Sequence, residues 1–146
     1  MAADFSDVMN EWIESVDVKM DDIFQTVVIK VGEHVVRLSP VDTGLFRGNW
    51  QLTIDEEQSS ELTRLDPSGN AAISSIAQKA NSLTAGQVAY ILNHLEYGYD
   101  LEYGTYFGPT AKVTEEGFSR QAPEGMVRIT EAEFIPIVNE AVRLNI

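Results

Sequence analysis

The fold of this chain is decided by residues 4–38, which read DFSDVMNEWIESVDVKMDDIFQTVVIKVGEHVVRL. Apolar side chains recur at helical spacing from Phe5 to Leu38, so the segment predicts one long amphipathic helix or two collinear helices. Unbroken, it would measure about 50 Å, more than a domain of this size needs for its own core. The surplus apolar stripe predicts contact with another subunit.

The start of this helix is strongly acidic. The first 22 residues hold seven acidic side chains, from Asp4 to Asp22, and one basic side chain, Lys19. Acidic residues near the start of a helix are favoured by the helix dipole. The simplest interpretation is that these side chains form a solvated helix face. A surface that attracts a basic partner is the alternative interpretation.

A break and a small sheet are predicted next. Ser39-Pro40 ends the helix, because proline cannot continue the hydrogen-bond ladder and restricts the residue before it. Residues 50–54 alternate with period two and predict a half-buried strand. Residues 55–60 form an acidic turn, and residues 61–65 are expected to return as the second strand of a hairpin.

The rest of the chain mixes short elements with loops. A short helix is predicted over residues 71–83 and a strand over 87–93, while residues 97–107 are aromatic and irregular and 110–121 are expected to form a mobile loop. Thr130 and Glu133 have the spacing of a capping box for a last helix running to about Asn145, which Pro136 should kink.

This order of elements predicts an α+β fold. The expected architecture is a long N-terminal helix packed on a small antiparallel sheet, with further short helices and a C-terminal helix. A length of 146 residues is that of a single domain, so residues 1–146 are expected to fold as one unit.

Composition excludes several classes of function. The formal net charge of −13 opposes sequence-independent binding to DNA or to anionic lipid, which depends on lysine and arginine. The absence of cysteine excludes disulfides, thiol nucleophiles and cysteine-based zinc sites. Neither a signal peptide nor a membrane span is visible, so we expect a soluble protein made in a cytoplasm.

One tripeptide suggests an enzyme. Asp42-Thr43-Gly44 is the sequence that carries the catalytic aspartate of aspartic proteases, which need two aspartates close enough to share a proton. There it follows an apolar strand, whereas here it follows a helix end and precedes a basic residue, Arg47. The context favours a loop in which Gly44 supplies an unusual backbone conformation.

No other catalytic or cofactor motif is visible. His34 and His94 lack partners at metal-ligand spacing, the glycines lack the pattern of a phosphate-binding loop, and Glu96 and Glu102 do not identify an acid–base pair. We therefore predict no enzyme activity, no cofactor and no metal. The tyrosines of residues 97–107 stand among acidic neighbours, which favours internal packing or a subunit interface over a ligand site.

Three motifs together resemble one protein family. Residues 39–50 read SPVDTGLFRGNW and resemble the PVDTG-x-LR-x-SW signature of small neck and tail-completion proteins of tailed bacteriophages. Residues 88–93 (VAYILN) and 99–104 (YDLEYG) resemble that family's YA-x-x-x-E-x-G region, and 121–127 (QAPEGMV) resemble its APQGMV segment. The motifs occur in the family's order, and together they span most of the chain from residue 39 to the C-terminus.

The resemblance implies a structural virion protein without enzymatic activity, of the head-tail joining or minor tail protein Z-like kind. Such a protein forms a homo-oligomeric ring, of about 6 or 12 copies, in the connector between head and tail. Its neighbours would be head-closure or adaptor proteins and tail terminator or tail tube proteins. DNA would pass through the lumen without specific binding, and the net charge of −13 suits such a wall.

The same resemblance selects structural or interface candidates in each motif. Arg47 is a candidate for an ion pair between subunits, Trp50 is expected to anchor the strand on the helix, and the third motif is expected to set the start of the last helix. The full set is Asp42, Thr43, Gly44, Arg47, Trp50, Tyr90, Glu102, Tyr103, Gly104, Pro123, Gly125 and Met126.

An acidic DNA mimic, which would inhibit a DNA-binding enzyme, is an alternative of a different class. The net charge favours it. Mimicry, however, needs carboxylates spread over a whole face, and residues 67–95 contain none. Fold maintenance remains an alternative for every candidate residue named above.

Overall fold

A computed structural model describes residues 5–58, 60–106 and 108–146. Asp4, Ser59 and Phe107, which the sequence places at the helix start, in the acidic turn and in the aromatic stretch, lie outside the described residues. The elements, in chain order, are α1 (Phe5–Leu38), α2 (Leu45–Gly48), β1 (Trp50–Ile54), α3 (Asn70–Ala80), β2 (Ala89–Asn93), α4 (Gly98–Tyr103), a 3-10 turn (Thr110–Lys112), α5 (Val127–Ala132) and α6 (Phe134–Leu144).

The first helix is a single unbroken element of 34 residues, which resolves the choice between one helix and two. It ends at Leu38, directly before Ser39-Pro40, as predicted. With the two-stranded antiparallel sheet and the helix at the C-terminus, it gives the chain the predicted α+β class. None of the described helices has the length and apolar composition needed to cross a membrane.

The core lies where the second half of α1 meets α3 and the sheet. Buried apolar side chains come from α1, α3, α2 and β1, and they include Val28, Val35, Val36, Ala72, Ile76, Ala80, Phe46, Trp50 and Leu52. The predicted helix over residues 71–83 and the predicted strand over 87–93 are confirmed as α3 and β2. Only the C-terminal half of α1 contributes to this core.

The predicted hairpin is wrong. β1 pairs with β2, with Leu52 opposite Ile91 and Ile54 opposite Ala89, and residues 61–65 form no strand. This pairing places apolar side chains of both strands on the face that joins the core. Residues 61–65 offer no such apolar face, since the Leu65 side chain remains 62% exposed.

Side-chain hydrogen bonds hold the segment that was expected to pair with β1. The Asn49 amide nitrogen donates to the Leu62 carbonyl at 3.0 Å, and its oxygen accepts from the Leu62 amide at 2.8 Å. Arg64 donates to the Gly48 carbonyl at 3.0 Å. Residues 61–65 are therefore attached to the domain by side-chain hydrogen bonds and are not part of the sheet.

The last helix differs from its prediction. It is divided into α5 and α6 at Glu133, and the Thr130 hydroxyl, inside α5, donates to the Met126 carbonyl at 2.9 Å in place of capping. Pro136 is the third residue of α6, where a missing N–H costs nothing. Its ring would clash with the carbonyl of residue 132, so the break comes before the proline and replaces the expected kink.

Two segments expected to be irregular contain ordered structure. Residues 98–103 form α4. The expected mobile loop over residues 110–121 contains the 3-10 turn and an antiparallel bridge between Val113 and Ser119, with the Arg120 amide donating to the Lys112 carbonyl at 3.0 Å. Backbone hydrogen bonds at a tight turn account for this order. The polar composition of these residues does not reveal such bonds.

Candidate assembly interface

The first motif folds around the guanidinium of Arg47. Its Nη2 donates to the carbonyls of Ser39 at 2.7 Å and Arg37 at 3.1 Å, and its Nη1 donates to the carbonyl of Pro67 at 2.9 Å. One side chain therefore ties the C-terminal end of α1, which lacks intrahelical partners for its last carbonyls, to the turn that precedes α3.

These contacts give Arg47 a role inside its own chain. The guanidinium donates to carbonyls at the end of α1 and before α3, and the ion pair between subunits stays a prediction. Burial lowers its pKa from the ordinary value, while Asp66 raises the pKa and Arg37 lowers it. The Asp66 carboxylate in turn accepts from the Ala72 amide at 2.9 Å, in the first turn of α3.

Trp50 anchors the start of β1 to the end of α1, as the sequence predicted. Its indole N–H donates to the Ser39 Oγ at 2.7 Å, and the Ser39 hydroxyl donates to the Val35 carbonyl at 2.6 Å. The ring of Phe46 meets it edge-on, with centroids 5.9 Å apart. The indole is thus buried with its polar group satisfied, which is what burial of tryptophan requires.

Asp42, Thr43 and Gly44 form the loop between α1 and α2. Asp42 and Thr43 are exposed, and the Thr43 Oγ1 accepts from the Leu45 amide at 3.3 Å. Gly44 is buried with φ at +92°, and a Cβ there would lie 2.5 Å from the backbone nitrogen of Pro67. Only glycine combines this conformation with so close a backbone approach.

A small cleft of about 220 Å³, with a mixed polar and apolar lining, borders this loop. Asp42, Lys112 and Arg120 line it, together with Tyr97, whose pKa is raised by burial first and then by Tyr106, Asp42 and Glu61. Among the described residues that line the cleft, Asp42 is the one carboxylate. A paired-aspartate site needs a second carboxylate within hydrogen-bonding distance, so this geometry does not support a protease within one chain.

Asp42→Asn is accordingly expected to leave the protein unchanged. Because the side chain is exposed, the free energy of unfolding should change by less than about 0.5 kcal/mol. Urea unfolding and a peptide-hydrolysis assay on both proteins check this. Proteolysis that the wild type shows and Asp42→Asn lacks would establish the enzyme instead.

The second and third motifs meet at the carboxylate of Glu102, which is 6% exposed. Its Oε2 accepts from the backbone amides of Met126 at 2.7 Å and Val127 at 2.9 Å, and its Oε1 accepts from the Arg128 amide at 2.9 Å. The Arg128 Nε lies 3.2 Å from Oε1, and its Nη2 donates to the Glu102 carbonyl. A residue of α4 therefore caps the start of α5.

Hydrogen bonds favour the ionised form of Glu102. Burial raises the pKa of its carboxyl group, but hydrogen bonds from the amides of residues 126–128 and from the Arg128 side chain lower it more. The net pKa lies below the ordinary carboxyl value of 4.5. Hydrogen bonds donated to the carboxylate stabilise its charged form and therefore lower its pKa.

A pH dependence of stability follows. Because the pKa of Glu102 is lowered on folding, its contribution is fully present above the unfolded pKa of about 4.5 and is lost as pH falls through the folded pKa. We expect the difference in unfolding free energy between wild type and Glu102→Gln to be constant above about pH 5 and to shrink below it. Urea unfolding at pH 3 to 7 measures this. A difference that stays constant to pH 3 would contradict it.

Other residues of these motifs surround this capped helix start. Gly125, with φ at +83°, allows the approach of Glu102, whose Oε2 would lie 2.8 Å from a Cβ there. Met126 is buried, whereas Pro123 is exposed. Gly104 ends α4, and the exposed Tyr103 packs on Tyr99 at 4.6 Å and beneath the Arg128 guanidinium at 5.1 Å.

Tyr90 does not join this cluster. It lies half-buried on β2, opposite Thr53 of β1. The three motifs therefore form two separate joints, one around Arg47 and one around Glu102, and the candidate residues hold elements together without converging on a catalytic centre. Within residues 5–58, 60–106 and 108–146, no group of three or more histidine, aspartate or glutamate side chains is placed to hold a metal ion.

The N-terminal half of α1 carries the largest exposed apolar surface. We call residues 5–20 the α1 arm; directly after it, the Asp21 carboxylate accepts from the Ala85 amide at 2.7 Å. Phe5 is 76% exposed and Trp12 is 62% exposed. At 100° per residue one apolar stripe joins Phe5, Val8, Met9, Trp12, Ile13, Val16 and Met20.

An apolar groove continues this stripe along the second half of α1. It has a volume of about 690 Å³ and runs between α1, the edge of β2 and α6. A second apolar hollow of about 290 Å³ shares Val31, Ile91 and Phe134 with it and extends it towards α5. The groove is lined by Ile23, Val27, Val31, Val88, Ile91 and Phe134, among others.

The sequence had indicated the arm but not the groove. A stripe longer than the domain was visible in the spacing of apolar residues in α1, and it predicted contact with another subunit. The groove combines α1 with β2 and α6, which are far apart in sequence. Val88 and Phe134, two of its lining residues, remain exposed in the folded chain.

Comparison of the chain with protein-family models, with curated proteins and with solved structures gives no match. Its residues and their geometry are therefore what bears on function.

Proposed function

We propose that this protein is a structural subunit of a ring in the head-to-tail connector of a tailed bacteriophage. In this role it occupies the neck or tail-completion layer, joins the head-side connector to the tail and leaves a channel for DNA. The observation that carries the proposal is the α1 arm, whose apolar helix face is left exposed by the residues that the structure describes. The ordered resemblance of the three motifs supplies the viral context.

The geometry of the motifs supports a structural role. Arg47 and Glu102 each use several hydrogen bonds to fix one element against another, which makes a stiff subunit and consumes the charged groups that a catalytic site would need free. The small cleft beside Asp42 is below the roughly 300 Å³ at which small-molecule sites begin.

Charge on the arm is consistent with a DNA channel. Asp7, Glu11 and Glu14 lie on the face of α1 opposite the apolar stripe and are exposed. If the stripe is covered in the assembly, this acidic face stays in contact with solvent, where it would repel the duplex and let it slide. An assembled lumen lined with lysine and arginine would contradict this part of the proposal.

The same acidic face is the observation that favours an acidic DNA mimic as the second candidate. Reversing Asp7, Glu11 and Glu14 to lysine separates the two. It should abolish the inhibition that a mimic exerts on a DNA-binding enzyme, whereas ring assembly through the apolar stripe should persist.

Quantitative mass spectrometry of purified particles of the source phage tests the proposal. We expect this chain to be present at a fixed ratio to the portal protein, with on the order of 6 to 12 copies per particle. Absence from mature particles would overturn the connector assignment, and inhibition of a DNA-binding enzyme would then be assayed first.

A further inference from the structure

We infer that the α1 arm of one copy lies in the apolar groove of the next copy, so that the ring closes by a repeated head-to-tail contact through α1. The inference deepens the proposed function and rests on it, since it names the surfaces by which the subunits of that ring associate. It is argued from the shape of α1, the chemistry of both surfaces and their size.

The arm cannot lie in the groove of its own chain. α1 is unbroken from Phe5 to Leu38, and the same helix provides one wall of the groove from Met20 onward. A continuous helix points away from its own C-terminal half and cannot fold back on it. Another molecule must therefore cover both surfaces.

The two surfaces match in chemistry. The arm presents an apolar stripe, and Asp7, Glu11 and Glu14 lie on the other side of the helix. Asp17 flanks the stripe beside Ile13, and Lys19 lies on the stripe near Trp12. The groove is walled by aliphatic side chains such as Val27, Val31 and Ile91, with Phe134 at its rim. When the stripe lies in the groove, Asp7, Glu11 and Glu14 stay in water, and the long stem of Lys19 lets its ammonium group reach water as well, so little desolvation of charge opposes the contact.

The size of the stripe also fits a subunit contact. Its exposed side chains, at roughly 80 to 160 Å² each, amount to on the order of 600 Å². A soluble monomer rarely exposes a contiguous apolar patch of more than a few hundred Å², and a stable interface buries about 800 Å² on each partner. The arm alone therefore approaches the area that a specific interface needs.

A second copy of the chain is the occupant that leaves neither surface open. Each copy contributes one arm and one groove, so a head-to-tail contact covers both in equal numbers, and repetition of such a contact closes a ring. An isologous pairing of two arms would cover the stripes but leave both grooves exposed. The balance of one arm to one groove thus favours arm-to-groove contact between copies over arm-to-arm pairing, and the ring geometry follows from the proposed function.

Cysteine cross-linking tests this arrangement directly, because the chain has no cysteine of its own. Trp12→Cys places a thiol on the arm and Val88→Cys places one at the groove. Mixing the two singly substituted proteins under mild oxidation should give a disulfide-linked dimer of one copy of each, and a chain carrying both changes should give a ladder of oligomers. A dimer formed by Trp12→Cys alone would show arm-to-arm pairing and overturn the inference.

A pair of identical substitutions supplies the matched control. Val8 and Val18 are 50% and 58% exposed, but Val8 lies on the apolar stripe and Val18 on the acidic side of the arm. Val8→Glu should weaken self-association at least tenfold by analytical ultracentrifugation, and Val18→Glu should change it less than about twofold. Circular dichroism checks that both variants remain helical. Equal effects of the two changes would contradict a role for the stripe.

The inference and the proposed function fail in different ways. A protein that stays monomeric up to about 1 mM, or that forms oligomers without an arm-to-groove disulfide, overturns the inference. Neither result tests whether the chain is a component of the virion. Only its absence from purified particles would overturn that, and this is measured without reference to α1.

Discussion

Glu102→Ala is expected to lower the free energy of unfolding by about 3 to 5 kcal/mol. The substitution removes the acceptor of three backbone amides at the start of α5 and the partner of Arg128, and it leaves these donors in a site where Glu102 is 6% exposed. Breaking a buried charged network by deleting one member costs more than the network contributes, because the remaining polar groups stay desolvated.

Urea unfolding at pH 7, followed by circular dichroism, measures this loss. Glu124→Ala is the matched control, since Glu124 lies two residues before Met126 but is exposed, and its removal should change stability by less than about 0.5 kcal/mol. If both substitutions cost the same, the capping of α5 by Glu102 does not stabilise the fold. Since Val127 and Thr130 of α5 line the hollow that extends the apolar groove, Glu102→Ala should also weaken self-association.

Arg47→Lys is expected to cost about 2 to 3 kcal/mol, although the charge is retained. The planar guanidinium reaches the carbonyls of Arg37, Ser39 and Pro67 at the same time. A lysine ammonium is a single point donor and cannot span the end of α1 and the turn before α3. Of the three acceptors, Ser39 is buried, so water does not replace the bond to its carbonyl.

Arg37→Lys serves as the control for this experiment. The Arg37 side chain is exposed and pairs with Glu33 one helical turn away at 3.1 Å, an interaction worth a few tenths of a kcal/mol. Urea unfolding of both variants should therefore separate them by about 2 kcal/mol. A loss at Arg47 no larger than that at Arg37 would mean that the charge alone, and not the fork of donors, holds the joint.

The elements that the sequence predicted well are those whose cause is local. α1 follows from its apolar period and ends at Ser39-Pro40, and α3 follows from the same period over residues 71–83. The hairpin prediction failed because the partner of β1 is chosen by which strand completes the apolar face. Ile91 and Ala89 complete that face, and residues 61–65 do not.

The candidate residues show the same division. Sequence motifs selected Arg47 and Glu102, but their roles depend on carbonyls and amides that lie 8 to 26 positions away along the chain. A motif records that a side chain matters without naming its partner. Backbone acceptors carry no sequence signal, so the interior role of Arg47 was not predictable.

The amino-acid sequence by itself determined the long amphipathic helix, its termination at Ser39-Pro40, the α+β class and the excess of apolar surface on α1. Each of these depends on propensity, period or composition within a short stretch of chain. Only the tertiary structure decided which strands pair, what Glu102 and Arg47 bind, and that α1, β2 and α6 enclose a groove. Those features depend on burial and hydrogen bonding between segments distant in sequence, whose free energies exist only once the chain has folded.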